Sequence, residues 1–196
     1  KFGPDNTHGF FPAIPGAWTL SEEKFLQKIK QINFLKLRAS YGIVGNANIP
    51  SGRYFADYQA GGIGYNGFPT LYLNSVGNPD LQWETLKNTD VAIEFALFSN
   101  RLTGEVAYYH KASSNLLMQP GLAPSTGTGD IYRNLPNSEI INQGLEISMN
   151  YKVIQTKDLK WTVGGNIARN KNEVKKWELG PDAVSGGTND TRVIEG

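Results

Sequence analysis

Cysteine is absent from this chain, so neither a disulfide framework nor a thiolate metal site can be built from it. Histidine is nearly absent: only His8 and His110 occur, and no spaced His/Asp/Glu set suggests a zinc centre. Charge of either sign is not in excess. Nineteen basic and 18 acidic residues leave a net +1, which gives no nucleic-acid footprint. Long apolar runs are missing too, and none approaches the ~18 residues of a membrane-spanning helix. That absence does not exclude membrane strands, in which only alternate residues must be apolar. Ser125-Thr-Gly-Thr-Gly129 lacks the lysine and the strand–loop–helix setting of a phosphate loop. Asn189-Asp-Thr191 fits a glycosylation sequon by pattern alone. No nucleophile or acid–base constellation stands out, so the chain reads as neither an enzyme nor a holder of a cofactor.

What is present is alternation. The 22 glycines and 11% aromatics suit a β-rich chain with many turns. Val91, Ile93, Phe95 and Leu97 share one parity, with Asp90, Ala92, Glu94 and Ala96 on the other. After Ser99–Asn100 the pattern resumes at Leu102, Gly104, Val106 and Tyr108 against Thr103, Glu105, Ala107 and Tyr109. It returns at Leu145, Ile147, Met149, Tyr151 and Val153, and again from Trp161. A period of two means strands with one oily and one wet face.

Six strands are expected. The first, within Gly9–Leu20, carries Pro12 and Pro15, which cannot donate to a ladder and so demote it to an irregular or edge strand. Ser21, Glu22 and Glu23 look like a helix start, and Phe25, Leu26, Ile29 and Ile32 recur at helical spacing, predicting a short helix over Glu22–Ile32. Strands follow at Phe34–Ile43, Leu86–Phe98, Leu102–Met118, Ile140–Ile154 and Leu159–Lys175. Long loops are expected at Val44–Glu84, with a short strand at Thr70–Asn74 inside it, and at Gln119–Glu139. Several of these strands exceed the usual five or six residues of soluble proteins. They match the ~9–11 residues needed to cross a bilayer at a tilt. The connections alternate short and long, so all long loops fall at one end. Strand length and loop asymmetry together point to an antiparallel transmembrane β-barrel segment. A soluble β-sandwich acting as a carbohydrate-binding module also alternates, and is the alternative.

Several segments resemble one family in order and spacing. They are Gly9-Phe-Phe-Pro-Ala-Ile-Pro-Gly-Ala-Trp-Thr-Leu-Ser-Glu-Glu23, Leu35-Lys-Leu-Arg-Ala-Ser-Tyr-Gly-Ile-Val-Gly-Asn46 and, most specific, Asn78-Pro-Asp-Leu-Gln-Trp-Glu-Thr85. Leu97-Phe-Ser-Asn-Arg-Leu-Thr-Gly104 with Tyr108-Tyr109, Asn142-Gln-Gly-Leu-Glu146 and Trp161-Thr-Val-Gly-Gly-Asn-Ile-Ala-Arg-Asn-Lys-Asn172 complete the set. Together they resemble the later barrel strands of SusC/RagA-like TonB-dependent transporters. The resemblance implies an outer-membrane importer of glycans or peptides in a Bacteroidetes-like Gram-negative bacterium. It also implies a plug domain, a SusD-like surface lipoprotein as lid and TonB as driver. On this reading residues 1–196 are a partial barrel domain whose ends look cut, without the plug or the remaining strands; Val193-Ile-Glu-Gly196 resembles the start of a further segment.

Candidate residues follow from parity. Lys36, Arg38, Asp90, Glu94, Glu105, Glu146, Asn150 and Asn166 are expected to face the lumen. Val91, Ile93, Phe95, Val106, Ile147, Met149 and Val163 are expected to face lipid. Trp161, Tyr151 and Phe34 are expected to form an outward aromatic girdle near the short turns. His110 falls on the apolar parity near a strand end, and Glu94 and Glu105 are expected to oppose each other as lumen lining. Tyr54, Tyr58, Tyr65 and Tyr72 are candidates for contact with a ligand or a partner protein. The connections at Ser21–Asn33, Ser99–Asn100 and Gln155–Asp158 are assigned to the periplasmic end and the two long loops to the outside.

Overall fold

The alternation is expressed chiefly in one broad antiparallel sheet of six strands. The computed structural model describes residues 1–127 and 131–179; the side chains of Ile63, Tyr65 and Pro124 are outside that description, as are Gly129, the Asn189 sequon and Val193–Gly196. Eight strands are described: β1 (Ala13–Thr19), β2 (Ile32–Asn46), β3 (Asp57–Ile63), β4 (Pro69–Ser75), β5 (Glu84–Leu97), β6 (Leu102–Met118), β7 (Arg133–Gln155) and β8 (Lys160–Lys176). Six form one sheet in the order β1-β2-β5-β6-β7-β8, and β3 and β4 pair as a separate hairpin.

β1 lies at one end of the sheet among the described residues, with Pro15 opposite Ser40. The short connections β1–β2, β5–β6 and β7–β8 lie at one end of the sheet, and the long ones β2–β5 and β6–β7 at the other. Between β5 and β6 the chain turns through Phe98, Ser99 and Asn100, all left-handed with φ of 55°, 57° and 60°. The turn is held by Arg101 N–H donating to the Phe98 carbonyl at 3.2 Å, and Leu97 lies opposite Leu102. It is also tied to its neighbour: Phe98 N–H donates to Gln31 O at 2.8 Å and Asn100 N–H to Asn33 Oδ1 at 3.2 Å.

Four expectations are corrected. The helix over Glu22–Ile32 does not form; the segment is a 3-10 turn at Leu20–Glu22 followed by further turns. An isolated helix this short is marginal in water, and packing is what would hold it. Phe25 and Ile29 stay 63% and 41% exposed, so the apolar stripe gains no such packing. The loop Val44–Glu84 contains β3 as well as the expected short strand, now Pro69–Ser75. β7 begins at Arg133, well inside the second expected loop, and continues through Pro136, so its loop ends sooner. Phe34 is not on the outward parity. It opposes Ala96 and shares the face of Lys36 and Arg38, next to a register shift between Ile32 and Phe34. Tyr151 and Trp161 keep the apolar face, Tyr151 opposite Val163.

The buried cluster is not between sheets. It lies at the long-loop end, where Phe2, Ile49 and Leu81 are buried and Ala47, Trp83, Leu117 and Tyr132 pack against them. Asn78-Pro-Asp-Leu-Gln-Trp-Glu84 organises it. Asn78 Oδ1 accepts the Asp80 N–H at 3.1 Å, turning the chain so that Leu81 is fully buried. Trp83 packs its ring against Phe2 and Phe11 with centroids 4.9 Å and 5.5 Å away, and its Nε1 donates to Asn6 O at 3.2 Å. The Gln82 backbone exchanges two hydrogen bonds with the Asn134 side chain, at 2.8 Å and 2.9 Å. Glu84 Oε2 accepts the Leu117 N–H at 3.3 Å. The N-terminal segment, both long loops and three strands are thus sewn together at one end.

Candidate functional site

Register decides which side chains share a face. Lys36, Glu94, Glu105, Ser148 and Asn166 are successive direct partners across β2, β5, β6, β7 and β8. Arg38, Ala92, Ala107, Glu146 and Ala168 form the next row, and Ser40, Asp90, Tyr109, Gly144 and Asn170 the one after. Asn150, opposite Thr103, belongs to the same face. All eight polar candidates therefore share one face. The seven apolar candidates share the other: Leu37, Ile93, Val106, Ile147 and Ile167 make one row there, with Phe95 and Met149 below it, Val91 above it and Val163 nearer the turns.

The apolar face is uncovered. Ile93, Met149, Val163 and Ile167 are 43%, 47%, 49% and 68% exposed. A β-sandwich would bury one face under a second sheet. The other sheet among the described residues is the β3–β4 hairpin, and it leaves these rows open, so the sandwich alternative loses its basis. The apolar window is also stepped. On β8 it runs from Trp161 to Ile167, after which Arg169, Lys171 and Glu173 take the same parity. On β2 it runs from Leu35 to Ile43. Leu35 aligns through the rows with Gly165, four residues past Trp161, and Ile43 lies six residues past Leu37, the row-mate of Ile167. A climb of about five residues is about 17 Å along the strands, against about 19 Å for four interstrand steps, an angle of about 40°. His110, opposite Thr89 and Gln143, sits one row past Tyr108, where the apolar band on β6 has ended.

The polar face is recessed. One hollow of about 650 Å³ is floored by Ala17, Ala92 and Ala107 and ringed by Arg38, Asp90 and Glu146. Arg38 is the electrostatic hinge of this region. Its Nε lies 2.6 Å from Glu94 and its Nη2 2.5 Å from Glu105. The two opposed carboxylates are thereby paired with a cation, which suits a wall rather than acid–base chemistry. Beyond the apolar window, Glu173 is flanked by Lys171 and Lys175 at 2.5 Å each. Among the described residues no group of three His, Asp or Glu side chains could hold a metal ion, and no helix is long and apolar enough to cross a membrane.

The loop tyrosines are not brought together. Tyr54 packs edge-on against Phe55 at 5.0 Å. Tyr58, 62% exposed, opposes Leu73, whereas Tyr72 opposes Gln59 and donates its O–H to Gln59 Oε1 at 2.9 Å. Adjacent register positions put Tyr58 and Tyr72 on opposite hairpin faces. The Tyr65 side chain lies outside the described residues. Sequence reasoning missed Tyr109 and the carboxamides around it; the polar parity of Asn88, Asn142, Asn170 and Asn172 was the available signal.

Residues 2–192 match the family described as TonB dependent receptor-like, beta-barrel. The chain is 38% identical to TonB-dependent receptor P39 of Formosa agariphila over 176 residues, covering 89% of this chain and 16% of that protein. It is 30% identical to TonB-dependent receptor SusC of Bacteroides thetaiotaomicron over 190 residues, covering 93% of this chain and 19% of that protein. Its fold matches the RagAB peptide importer in the closed-closed state with a TM-score of 0.82 at 26% identity, covering 92% of this chain and 20% of that one. The open sheet, its two faces and these matches define a wall segment of an antiparallel β-barrel. The chain belongs to the TonB-dependent receptor β-barrel family, and within it is SusC-like; this is a family of receptors and transporters, not an enzyme class. It spans about a fifth of the length of these relatives.

Proposed function

We propose that the chain is part of the wall and outer loops of a barrel in the outer membrane of a Bacteroidetes-like Gram-negative bacterium, and that the whole protein imports glycans or peptides. The observation that carries this reading is the stepped apolar window. Its climb of about 40° across the register falls within the ~35–45° strand tilt of outer-membrane barrels, so a horizontal lipid band falls on apolar side chains in every strand. Val91, Ile93, Phe95, Val106, Ile147, Met149 and Val163 then face lipid. Lys36, Arg38, Asp90, Glu94, Glu105, Glu146, Asn150 and Asn166 line the lumen. The short turns sit in the periplasm, and the sewn loop cluster stands outside.

The remaining barrel and a plug belong, on this reading, to parts of the protein outside these 196 residues. TonB acts through those parts, and a SusD-like surface lipoprotein caps the outer mouth. RagAB is named as a peptide importer, which supports import as the activity. The test is fractionation of cells making the full-length protein. Recovery in outer membranes, released only by detergent and with heat-dependent gel mobility, is expected; a soluble periplasmic species would overturn the reading.

A further inference from the structure

The polar face carries a site that the lumen-lining role alone does not require. Tyr109 on β6 reaches over β7 to β8, where its O–H donates to Asn170 Oδ1 at 2.9 Å. Two interstrand steps are about 10 Å, so the phenol must lie down along the sheet rather than stand off it. Gly144 makes this possible: a Cβ there would sit 2.6 Å from Tyr109 Oη and 2.7 Å from Cζ. The ring is thus pinned flat, at its hydroxyl end and from beneath.

Around it lie carboxamides. Asn88, Lys111, Asn142 and Asn172 are direct partners in the next row. Asn142 and Asn172 make no side-chain hydrogen bond among the described residues. They line, with Tyr109, Lys111 and Asp90, a recess of about 560 Å³ at the long-loop side of the polar face. Lys111 Nζ lies 5.3 Å from the Tyr109 ring centre, a cation–π contact at the sheet surface that a ligand can displace.

We propose that this shelf binds a neutral glycan on its way through the barrel. The inference rests on the import reading and names where cargo touches the wall and of what kind. A flat aromatic ring offers its face to the C–H face of a pyranose, and free carboxamides both donate to and accept from vicinal hydroxyls. Asp90 and Glu146 outnumber Lys111 in the recess, a balance that disfavours uronates and sulfates, so a neutral glycan fits it better. A peptide offers such a face only at a proline or aromatic side chain, and it has no vicinal hydroxyls to pair with the two carboxamides.

The test uses the full-length transporter in detergent, fluorescently labelled and applied to an array of neutral and acidic glycans, with a mixed peptide array beside it. Wild type retains neutral glycans. Tyr109→Ala weakens them about tenfold or more, a change of ~1.4 kcal/mol. The double variant Asn142→Ala/Asn172→Ala weakens them likewise. Tyr109→Phe keeps the ring but loses the hydrogen bond that pins it, so it weakens binding less than Tyr109→Ala does. Binding to acidic glycans or peptides only, to nothing, or unchanged in Tyr109→Ala overturns the shelf. The same preparations are fractionated and heat-shifted on gels. An outer-membrane protein indifferent to Tyr109→Ala overturns the shelf and leaves the import reading standing. A soluble protein that binds neutral glycans through Tyr109 does the reverse.

Discussion

Glu94 and Glu105 stand directly opposite each other across β5 and β6, and Arg38 from β2 reaches over both. Like charges directly opposed destabilise a strand pair. Arg38 converts that repulsion into a three-strand link. Its side chain is 44% exposed, so the link is modest in energy. Arg38→Ala should lower barrel stability by about 1 kcal/mol, read as a lower temperature of heat-dependent gel mobility. Adding Glu105→Gln to that variant should restore most of the loss. No recovery would show that Arg38 acts through packing instead.

The two faces should tolerate charge very differently. Ile147→Lys, placed in the middle of the apolar window, should cost about 2–4 kcal/mol and reduce assembly into the outer membrane. Ala107→Lys, directly opposite Glu146 on the polar face, should be close to neutral. Equal effects at the two positions would remove the distinction between lipid and lumen.

Sidedness is open to labelling in the full-length protein with any cysteines elsewhere replaced, since residues 1–196 contribute none. A cysteine at Thr126 should react with an impermeant maleimide on whole cells, and one at Asn100 should react only after lysis. The opposite pattern reverses the topology.

The loop cluster should be fragile at one point. Leu81 is fully buried in the cluster with Phe2 and Ile49, and Leu81→Ala should cost it about 2–5 kcal/mol. Limited proteolysis should then cut the N-terminal segment and the Val44–Glu84 loop in cells whose barrel still migrates normally. Loss of the barrel itself would mean that the cluster supports the wall and not only the loops.

Residues 1–196 made alone without detergent should aggregate. The sheet has two open edges, β1 and β8, and unpaired edge groups cannot stand bare in lipid or remain inert in water beside an apolar face. A monodisperse monomer with cooperative unfolding would contradict the wall assignment.

Alternation at Val91–Leu97 and Leu102–Tyr108 was enough to read strands, their parity and the grouping of loops at one end, because side-chain direction in a strand is set by position alone. The Glu22–Ile32 stripe misled because helical spacing expresses a helix only when something packs on the stripe, and Phe25 and Ile29 remain exposed. Placing Phe34 outward runs against its own period: two residues before Lys36, it shares that residue's parity, and the fold puts it on that face. Register between distant strands belonged to the tertiary structure. It set Arg38 over Glu94 and Glu105, stepped the apolar window from Trp161 on β8 up to Ile43 on β2, and laid Tyr109 across Gly144 onto Asn170. No local preference couples residues so far apart in the chain; only the hydrogen-bonded pairing of one strand with the next lines up such rows, and that pairing exists in the folded sheet alone.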